Sequence, residues 1–266
     1  NSDSAFQYTV AANVATITGY TGSESVLTLP STLGGYPVVA IADNAFFGLT
    51  GITSVTIPEG VLSIGNRAFF HTGLTSVSIP ASVTSISESQ AFFSGRLVSI
   101  AVDANNPSYT VIDDVLFTKD VTKMVCYPSK KAGTDYTVPD SVTALAAFAF
   151  NSCDNLCSVT FSAQSQLRNI GTYGLSYCDN IETLALPATL QTLASYACYM
   201  NTGLKTVFMN CAAPQMGSAV FSSAHQDFCI YVQLGLSGWA TPVWMGYPCV
   251  FYRSVDSITI SNSVDT

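Results

Sequence analysis

The sequence predicts a repeat solenoid, in which a parallel ladder of short β-strands is joined by short strands, turns and 3₁₀ pieces on the outer side. Two patterns carry this prediction, because both recur in phase every 22 to 25 residues, with one longer gap before Val138. A unit of this length cannot bury its apolar edge alone and must stack on the next unit. The first pattern is an apolar trio at the end of each predicted strand: Ile52-Val55-Ile57, Leu74-Val77-Ile79, Leu97-Ile100-Val102, Leu156-Val159-Phe161, Ile181-Leu184-Leu186 and Leu204-Val207-Met209. The second pattern is a pair that follows each trio: Ala45-Phe46, Ala68-Phe69, Ala91-Phe92, Ala149-Phe150, Gly174-Leu175, Ala197-Cys198 and Val220-Phe221.

Residues 1–44 are expected to form an N-terminal cap and the first coil, one coil being one turn of the solenoid. Apolar and polar residues alternate from Phe6 to Val10 and from Val14 to Thr18, around Ala11 to Asn13, which predicts a hairpin. Such a lid covers the strand edges that the first coil would otherwise expose. Prolines then end successive strands, because proline lacks the main-chain donor that a ladder needs. These prolines are Pro30, Pro58, Pro80, Pro139 and Pro187.

Residues 45–209 are predicted to be the repeats, with an inserted hairpin at 103–135. Apolar runs from Val111 to Phe117 and from Lys123 to Tyr127 flank Lys119-Asp120, which indicates a hairpin that protrudes from the solenoid. The insert holds nine of the 26 charged residues (9 Lys plus Arg and 17 Asp plus Glu). Insertions in solenoids often carry binding sites. A solvated hairpin without a ligand explains the same charges, and both interpretations stay open.

Residues 210–252 are expected to form a C-terminal cap with a last strand at Ile230 to Val232. Residues 253–266 are either a linker or the start of a following module, because Ile258 and Ile260 alternate with polar residues.

The phase of the two patterns predicts one continuous parallel ladder and one hydrophobic spine. Phe46, Phe69, Phe92 and Phe150 should contact one another along that spine, since they occupy the same slot of stacked coils. The last residue of each strand should be buried: Leu29, Ile57, Ile79, Val102, Val138, Phe161, Leu186, Met209 and Val232.

Composition excludes several classes of protein. With 48% hydrophobic and 10% charged residues, the chain is unlike a disordered one, which combines high charge with few apolar residues. No run of 18 apolar residues occurs, so no membrane span is expected. A net charge of −8 argues against nucleic acid as a partner, because phosphate binding needs a clustered basic face. We expect a monomer.

Cysteines occur only from Cys126 onward. Cys153 and Cys178 occupy the same slot of adjacent repeats. Stacked strands lie about 4.8 Å apart, which is within the Cα separation that a disulfide tolerates. The two residues can therefore form a disulfide, or they can belong to a buried column of free thiols. The sequence leaves both alternatives open.

Outward positions alternate with the buried ones along each predicted strand, because successive side chains of a strand point to opposite faces. This surface is almost entirely hydroxyl and methyl, and it is the candidate partner-facing surface. Phe208 and Tyr231 at its C-terminal end either anchor a partner or lie beneath the cap. The candidate residues are Ser54, Thr56, Ser76, Ser78, Ser158, Thr160, Thr183, Thr206, Phe208 and Tyr231.

The sequence contains no arrangement that predicts catalysis. Cys229 is the one titratable group on the outward positions, whereas catalysis needs such a group beside the reacting atom. His71 lies in a turn and His225 in the cap, without a shared repeat slot. Asp113-Asp114 is the one adjacent acidic pair and lacks the further oxygen ligands of a calcium loop. We therefore expect no enzyme, no metal site and no cofactor.

The phrase from Leu74 to Ile86 (LTSVSIPASVTSI), followed by Ala91-Phe92, resembles the BspA-type leucine-rich repeat. The insert from Asn105 to Asp120 and the ending at Ile230 with Trp239 are similar to features of the same family. This resemblance implies a solenoid of the leucine-rich-repeat type. It also implies a secreted or cell-surface protein, active in adhesion or protein binding and often followed by immunoglobulin-like modules.

Together these observations favour a non-catalytic, extracellular or cell-surface recognition or adhesion module that binds a protein or a glycan. The alternative is a structural spacer that presents neighbouring modules and has no ligand of its own.

Overall fold

A computed structural model describes residues 2–87 and 90–253 of the chain. It is a β-solenoid of about ten turns with parallel strands and nearly no helix, which confirms the predicted fold class. One 3₁₀ segment, Ser2–Ala5, precedes the first strand. The strands are β1 (Phe6–Ala11), β2 (Val14–Tyr20), β3 (Val26–Thr28), β4 (Thr32–Leu33), β5 (Tyr36–Ile41), β6 (Ser54–Thr56), β7 (Ser63–Ile64), β8 (Ser76–Ile79), β9 (Ser85–Ile86), β10 (Ser99–Val102), β11 (Tyr109–Ile112), β12 (Val115–Thr118), β13 (Lys123–Cys126), β14 (Asp135–Val138), β15 (Ala144–Leu145), β16 (Ser158–Phe161), β17 (Asn169–Ile170), β18 (Thr183–Leu186), β19 (Thr192–Leu193), β20 (Thr206–Met209), β21 (Gln215–Met216), β22 (Cys229–Gln233), β23 (Val243–Trp244) and β24 (Tyr247–Tyr252).

The N-terminal hairpin forms as the sequence predicts. Strands β1 and β2 pair antiparallel, and β2 continues in parallel with β5. Ala12 and Asn13 both have positive φ, which is the backbone of a two-residue hairpin turn. Phe6 contacts Tyr20, whose ring lies 6.1 Å from Phe46, so the cap joins the aromatic core of the first coil.

The main strand ladder is divided into three parts, so the prediction of one continuous ladder is wrong. The hydrogen-bonded sequences are β3-β6-β8-β10, then β14-β16, then β18-β20-β22-β24. The first break coincides with the insert. The second lies where Phe161 and Leu186 are 25 residues apart, so that the longer connection leaves β16 and β18 in contact without a ladder.

Two predicted strand ends are half-buried, although burial was expected for all nine. Val102 and Phe161 are these exceptions, and each ends a strand beside a break in the ladder. Without a paired strand on that side, less of the side chain is covered.

The outer side of each coil consists of two-residue strands and a turn, and the expected 3₁₀ pieces are not part of it in the described chain. Each regular turn places a residue of positive φ two positions before the spine residue, and most place a second one two positions after it. Positive φ interrupts a run of helical residues, which explains the absence of 3₁₀ structure there. The first set is Asn44, Arg67, Gln90, Phe148, Tyr173, Tyr196 and Ala219, and the second includes Gly48, His71, Ser152, Tyr177, Met200 and Ser223.

These turns are linked from coil to coil by main-chain hydrogen bonds. In six coils the N–H of the spine residue donates to the carbonyl of the residue before the next spine residue. The bonds run from Phe46 to Ala68, Phe69 to Ala91, Tyr127 to Ala149, Phe150 to Gly174, Leu175 to Ala197 and Cys198 to Val220. Among the described residues no such bond links Phe92 to the coil of Tyr127.

The predicted single spine of four phenylalanines is wrong at its last member. Phe46, Phe69 and Phe92 stack with ring centroids 5.0 and 5.9 Å apart. Phe150 instead stacks on Tyr127 at 5.1 Å and belongs to a separate buried cluster. The insert supplies an additional coil between Phe92 and Phe150, and Tyr127 takes the spine position of that coil.

The insert at 103–135 is a wall between two hydrophobic cores, which corrects the prediction of a protruding hairpin. Strands β12 and β13, which flank Lys119-Asp120, do pair antiparallel as predicted, and β11 pairs antiparallel with β12. Val115, Leu116 and Phe117 are nevertheless fully buried. Leu116 packs into the N-terminal core and Phe117 into the C-terminal core, so β12 is covered on both faces. The charges lie at its turns, as at Asp113 and Asp114, where the chain meets water.

At the other end, β24 pairs in parallel with β22 and extends the ladder beyond the strand predicted as last. The domain boundaries at 44, 209 and 252 stay predictions. Ile258 and Ile260, the basis for a linker or a following module in 253–266, lie outside the described residues.

The buried position of β12 predicts a large effect of a substitution within it. Phe117→Ala removes a fully buried ring and should lower the free energy of unfolding by about 3–5 kcal/mol. Ile112→Ala is the control, because Ile112 lies in the same hairpin and is 42% exposed, so its effect should be about 0.5 kcal/mol. Urea denaturation measures the free energy of unfolding of both variants. Equal losses would support the prediction of a protruding hairpin instead.

Candidate functional site: the strand face and its aromatic end

The strand face is the outward surface of the main ladder, and all ten candidate residues lie on it. Six of them are half-buried and four are exposed, while their inward neighbours such as Val55 and Val159 are buried. The three parts of the ladder separate them into three groups. The first group is Ser54, Thr56, Ser76 and Ser78, the second is Ser158 and Thr160, and the third is Thr183, Thr206, Phe208 and Tyr231.

Hydroxyl groups of the first group have no hydrogen-bond partner among the described residues. In the second group Thr160 shares a hydrogen bond of 2.8 Å with Thr137 on the neighbouring strand. Between β16 and β18 the missing ladder leaves an open depression of about 740 Å³, lined by Ser158, Thr160, Glu182 and Thr183 among others. A smaller depression of about 260 Å³ lies over β6, β8 and β10, so the face offers free hydroxyls and two shallow concavities in its described part.

An aromatic cluster occupies the C-terminal end of the strand face. Phe208 and Tyr231 lie 5.5 Å apart between ring centroids, and Tyr252 meets Phe208 edge-on at 5.7 Å. The Tyr252 hydroxyl donates to Asn210 Oδ1 at 3.1 Å, which fixes its ring. Phe208 and Tyr231 are half-buried, so the cap does not cover them.

Sequence reasoning missed the contribution of β24 to this cluster. The strand places Val250, 39% exposed, beside Tyr231, and Tyr252 at the next outward position. The signal was present in the apolar and aromatic segment from Tyr247 to Tyr252, which directly follows Gly246.

The titratable residues near this face do not form a catalytic arrangement. The Cys229 thiol donates to its neighbouring carbonyl at Ile230, and burial raises the pKa of Cys229. His225 lies in the cap with Nδ1 3.5 Å from Asp227 Oδ2. In the described part of the chain no three His, Cys, Asp or Glu side chains are grouped so as to hold a metal ion. The described part of the chain, residues 2–87 and 90–253, contains no helix that is long and apolar enough to cross a membrane.

Cys153 and Cys178 are free thiols that form a buried column, and Cys198, also free and buried, lies at the spine position of the next coil. The Cys178 thiol lies 3.0 Å from the Phe150 carbonyl oxygen, to which it donates. Desolvation, and then the hydrogen bond and charge of Cys178, raise the pKa of Cys153 well above its ordinary value. Desolvation likewise raises the pKa of Cys198. Because Cys153 and Cys178 are fully buried, reagents in solution do not reach them in the folded protein.

Two rows of aromatic rings cover the outer turns, and sequence reasoning identified neither. The phenyl row is Phe47, Phe70 and Phe93, with successive centroids 5.3 Å apart. The tyrosine row is Phe148, Tyr173 and Tyr196, stacked at 5.0 and 4.9 Å. The recurring third letter of Ala-Phe-Phe was a signal for the phenyl row.

A bulky residue at positive φ, as in the tyrosine row, is strained by about 1–3 kcal/mol. Ring stacking contributes about 0.5–1.5 kcal/mol per pair and offsets part of that strain.

A repeated coil, a parallel ladder and a stacked spine define a leucine-rich-repeat solenoid. A family model described as the BspA type leucine rich repeat region matches six copies, over residues 27–131 and 121–230. The chain therefore belongs to the BspA-type leucine-rich repeat family. Such repeat domains are generally non-catalytic scaffolds that mediate protein interactions. A comparison with curated proteins finds no match.

Among solved structures, a leucine-rich repeat protein from Eubacterium ventriosum is similar over 86% of this chain and 77% of its own, at 19% identity and a TM-score of 0.63. The pneumococcal vaccine antigen PcpA matches over 86% of this chain and 80% of its own, at 20% identity and a TM-score of 0.49. A leucine rich cell surface protein from Faecalibacterium prausnitzii matches over 82% and 94%, at 21% identity and a TM-score of 0.42. The likeness to the Eubacterium protein shows the fold alone.

The thiol column predicts selective alkylation of the native protein. Iodoacetamide at pH 8 should modify the exposed Cys157 and leave Cys153, Cys178 and Cys198 unmodified, because all three are fully buried from the reagent and desolvation keeps Cys153 and Cys198 protonated. Peptide mass spectrometry measures the modification, and denatured protein is the control in which all eight cysteines react. A Cys153–Cys178 disulfide, seen as a mass lower by one hydrogen per sulfur, would contradict the thiol column.

Proposed function

We propose that this protein is a non-catalytic recognition or adhesion module that binds a protein or glycan partner through its strand face. The observation that carries the proposal is the cluster of Phe208, Tyr231 and Tyr252 at the end of a hydroxyl-lined face. Aromatic side chains provide a large share of binding energy at interfaces, and a held ring loses little conformational entropy on binding.

The rest of the face complements this anchor. Ser54, Thr56, Ser76 and Ser78 present hydroxyls at regular strand spacing, which suits hydrogen bonding to sugar hydroxyls or to an extended peptide. Few charges lie nearby, so the face would contribute specificity through shape and hydrogen bonds. The aromatic end would contribute most of the affinity.

Location and assembly belong to the same proposal. The protein acts at the cell surface or outside the cell as a monomer, as the BspA-type family implies for location. Its net charge of −8 favours solubility and disfavours self-association through the uncharged face.

The second candidate is a structural spacer without a ligand of its own. The turn hydrogen bonds that link successive coils favour it, because they make a stiff rod that can hold neighbouring modules apart. The two candidates differ in one measurable respect, which is whether the isolated protein binds anything.

The anchor predicts a specific loss of affinity. A partner is first sought with the 266-residue chain on extracellular-matrix proteins and a glycan array. Phe208→Ala and Tyr231→Ala should each weaken that partner by about 1–3 kcal/mol, measured by titration calorimetry. Phe47→Ala is the control, because Phe47 is 47% exposed on the outer turns, away from the strand face, and its substitution should change affinity by less than about 0.5 kcal/mol.

Unchanged affinity in both aromatic variants would contradict the strand-face site, and absence of any partner would favour the spacer. Turnover of a bound glycan or peptide, abolished by substituting Cys229 or His225, would overturn the non-catalytic assignment. Deleting residues 103–135 cannot test the insert as a site, because β12 forms part of both cores.

A further inference from the structure

A groove separates the two aromatic rows on the outer side of the solenoid. It encloses about 370 Å³ and is lined by Arg67, Phe70, Phe93, Phe148 and Tyr173 among others. The groove exists because the coil of Tyr127, between Phe93 and Phe148, continues into Pro128 and Ser129 and lacks the regular turn. Its size falls within the range of about 300–1,000 Å³ that small-molecule sites occupy.

The aromatic rings at the two sides of the groove each have a face without an aromatic neighbour. Phe93 stacks on Phe70 on its N-terminal side, and Phe148 stacks on Tyr173 on its C-terminal side. In the described chain neither ring has a second stacking partner across the groove. Two ring faces thus border the same space from opposite sides, which is an arrangement that can receive a flat ligand between or against them.

Polar groups for orienting a ligand lie beside these rings. Arg67 Nε donates to Gln90 Oε1 at 3.0 Å, and its guanidinium carbon lies 5.4 Å from the centre of the Phe70 ring. The remaining guanidinium N–H groups and the Gln90 amide N–H groups have no protein partner in the described residues. The groove therefore combines aromatic faces with several planar hydrogen-bond donors.

A buried hydroxyl lies in a small cavity that adjoins the groove. Ser129 is 5% exposed, and its Oγ has no hydrogen-bond partner within residues 2–87 and 90–253. Ser129 lines a cavity of about 30 Å³ that shares Phe93, Phe148, Gln90 and Asn151 with the groove. A buried hydroxyl without a partner is unfavourable, so a ligand hydroxyl or a water that bridges to one would satisfy it.

We propose that the groove between Phe93 and Phe148 binds a neutral oligosaccharide. Carbon-bound hydrogens on one face of a sugar ring pack against the electron-rich face of an aromatic ring, and its hydroxyls accept from Arg67 and Gln90. A neutral ligand suits the charge, because a chain of net charge −8 repels acidic polymers. This site is separate from the strand face.

An extended peptide fits the groove less well. Peptides that add to a sheet need open main-chain groups, whereas the turn N–H groups here are used between coils. His71 N–H donates to Phe93 O at 2.8 Å, and Phe148 N–H donates to Thr172 O at 3.0 Å. A ligand must therefore rely on side chains and ring faces, as a sugar does.

The test uses the 266-residue chain with cello-, xylo-, manno- and galacto-oligosaccharides of four to six units, measured by calorimetry and saturation-transfer NMR. At least one series should bind with a dissociation constant below about 1 mM. Phe148→Asn should weaken that binding by about tenfold or more. Asparagine tolerates positive φ, and Asn44 holds the equivalent position in an earlier coil, so the variant should fold.

Tyr196→Asn is the matched control. Tyr196 has φ 61° against 60° for Phe148, ends the same row, and does not line the groove. Both variants should have similar denaturation midpoints, while only Phe148→Asn loses the sugar. Equal affinities in the two variants, no binding by any of the four series, or binding of acidic glycans or peptides in their place would overturn the proposal. Loss of a strand-face partner in Phe208→Ala would leave this result unaffected, so the two sites are distinguishable.

Discussion

The structure depends on one repeated contact, the main-chain hydrogen bond between turns of successive coils. For the spine N–H of Phe69 to reach the carbonyl of Ala91, the turn must curve tightly around a small residue. Residues of positive φ on both sides of the spine position produce that curvature. Once the turns are in register, the spine rings lie at stacking distance, and the strands on the opposite side come to ladder spacing.

Features that recur with this contact in every coil could be predicted from the sequence, whereas features of single coils could not. Recurrence of Ala-Phe and of the apolar trios predicted the solenoid, the spine slot and the alternation of the strand face. It did not predict where the ladder breaks, because the outcome depends on how a longer connection packs. The sequence did indicate that the insert is buried, since Val115-Leu116-Phe117 is a continuous apolar run. Such a run is typical of a strand buried on both faces, whereas a protruding hairpin alternates.

Of the two candidate sites, the strand face could be predicted from the sequence and the groove could not. Positions such as Thr56 and Tyr231 follow from the period of a strand, so the sequence was sufficient to place them on one face. The outer rows were not predicted, because side-chain direction at Phe148 or Tyr173 depends on a left-handed backbone that has no simple period. The groove between the rows depends further on an irregular coil at Tyr127, which only the assembled structure places beside them.

The buried strand β12, which separates the two cores, also affects how the protein unfolds. In a uniform solenoid each coil is held only by its neighbours, so fraying that starts at one end can advance coil by coil. Here each core ends on the same buried strand, and no turn bond crosses from Phe92 to the coil of Tyr127 in the described chain. Opening of the N-terminal half thus leaves the C-terminal half with its own lid. We expect unfolding that a protease cut starts in one half to stop at β12, so that the other half keeps its surface.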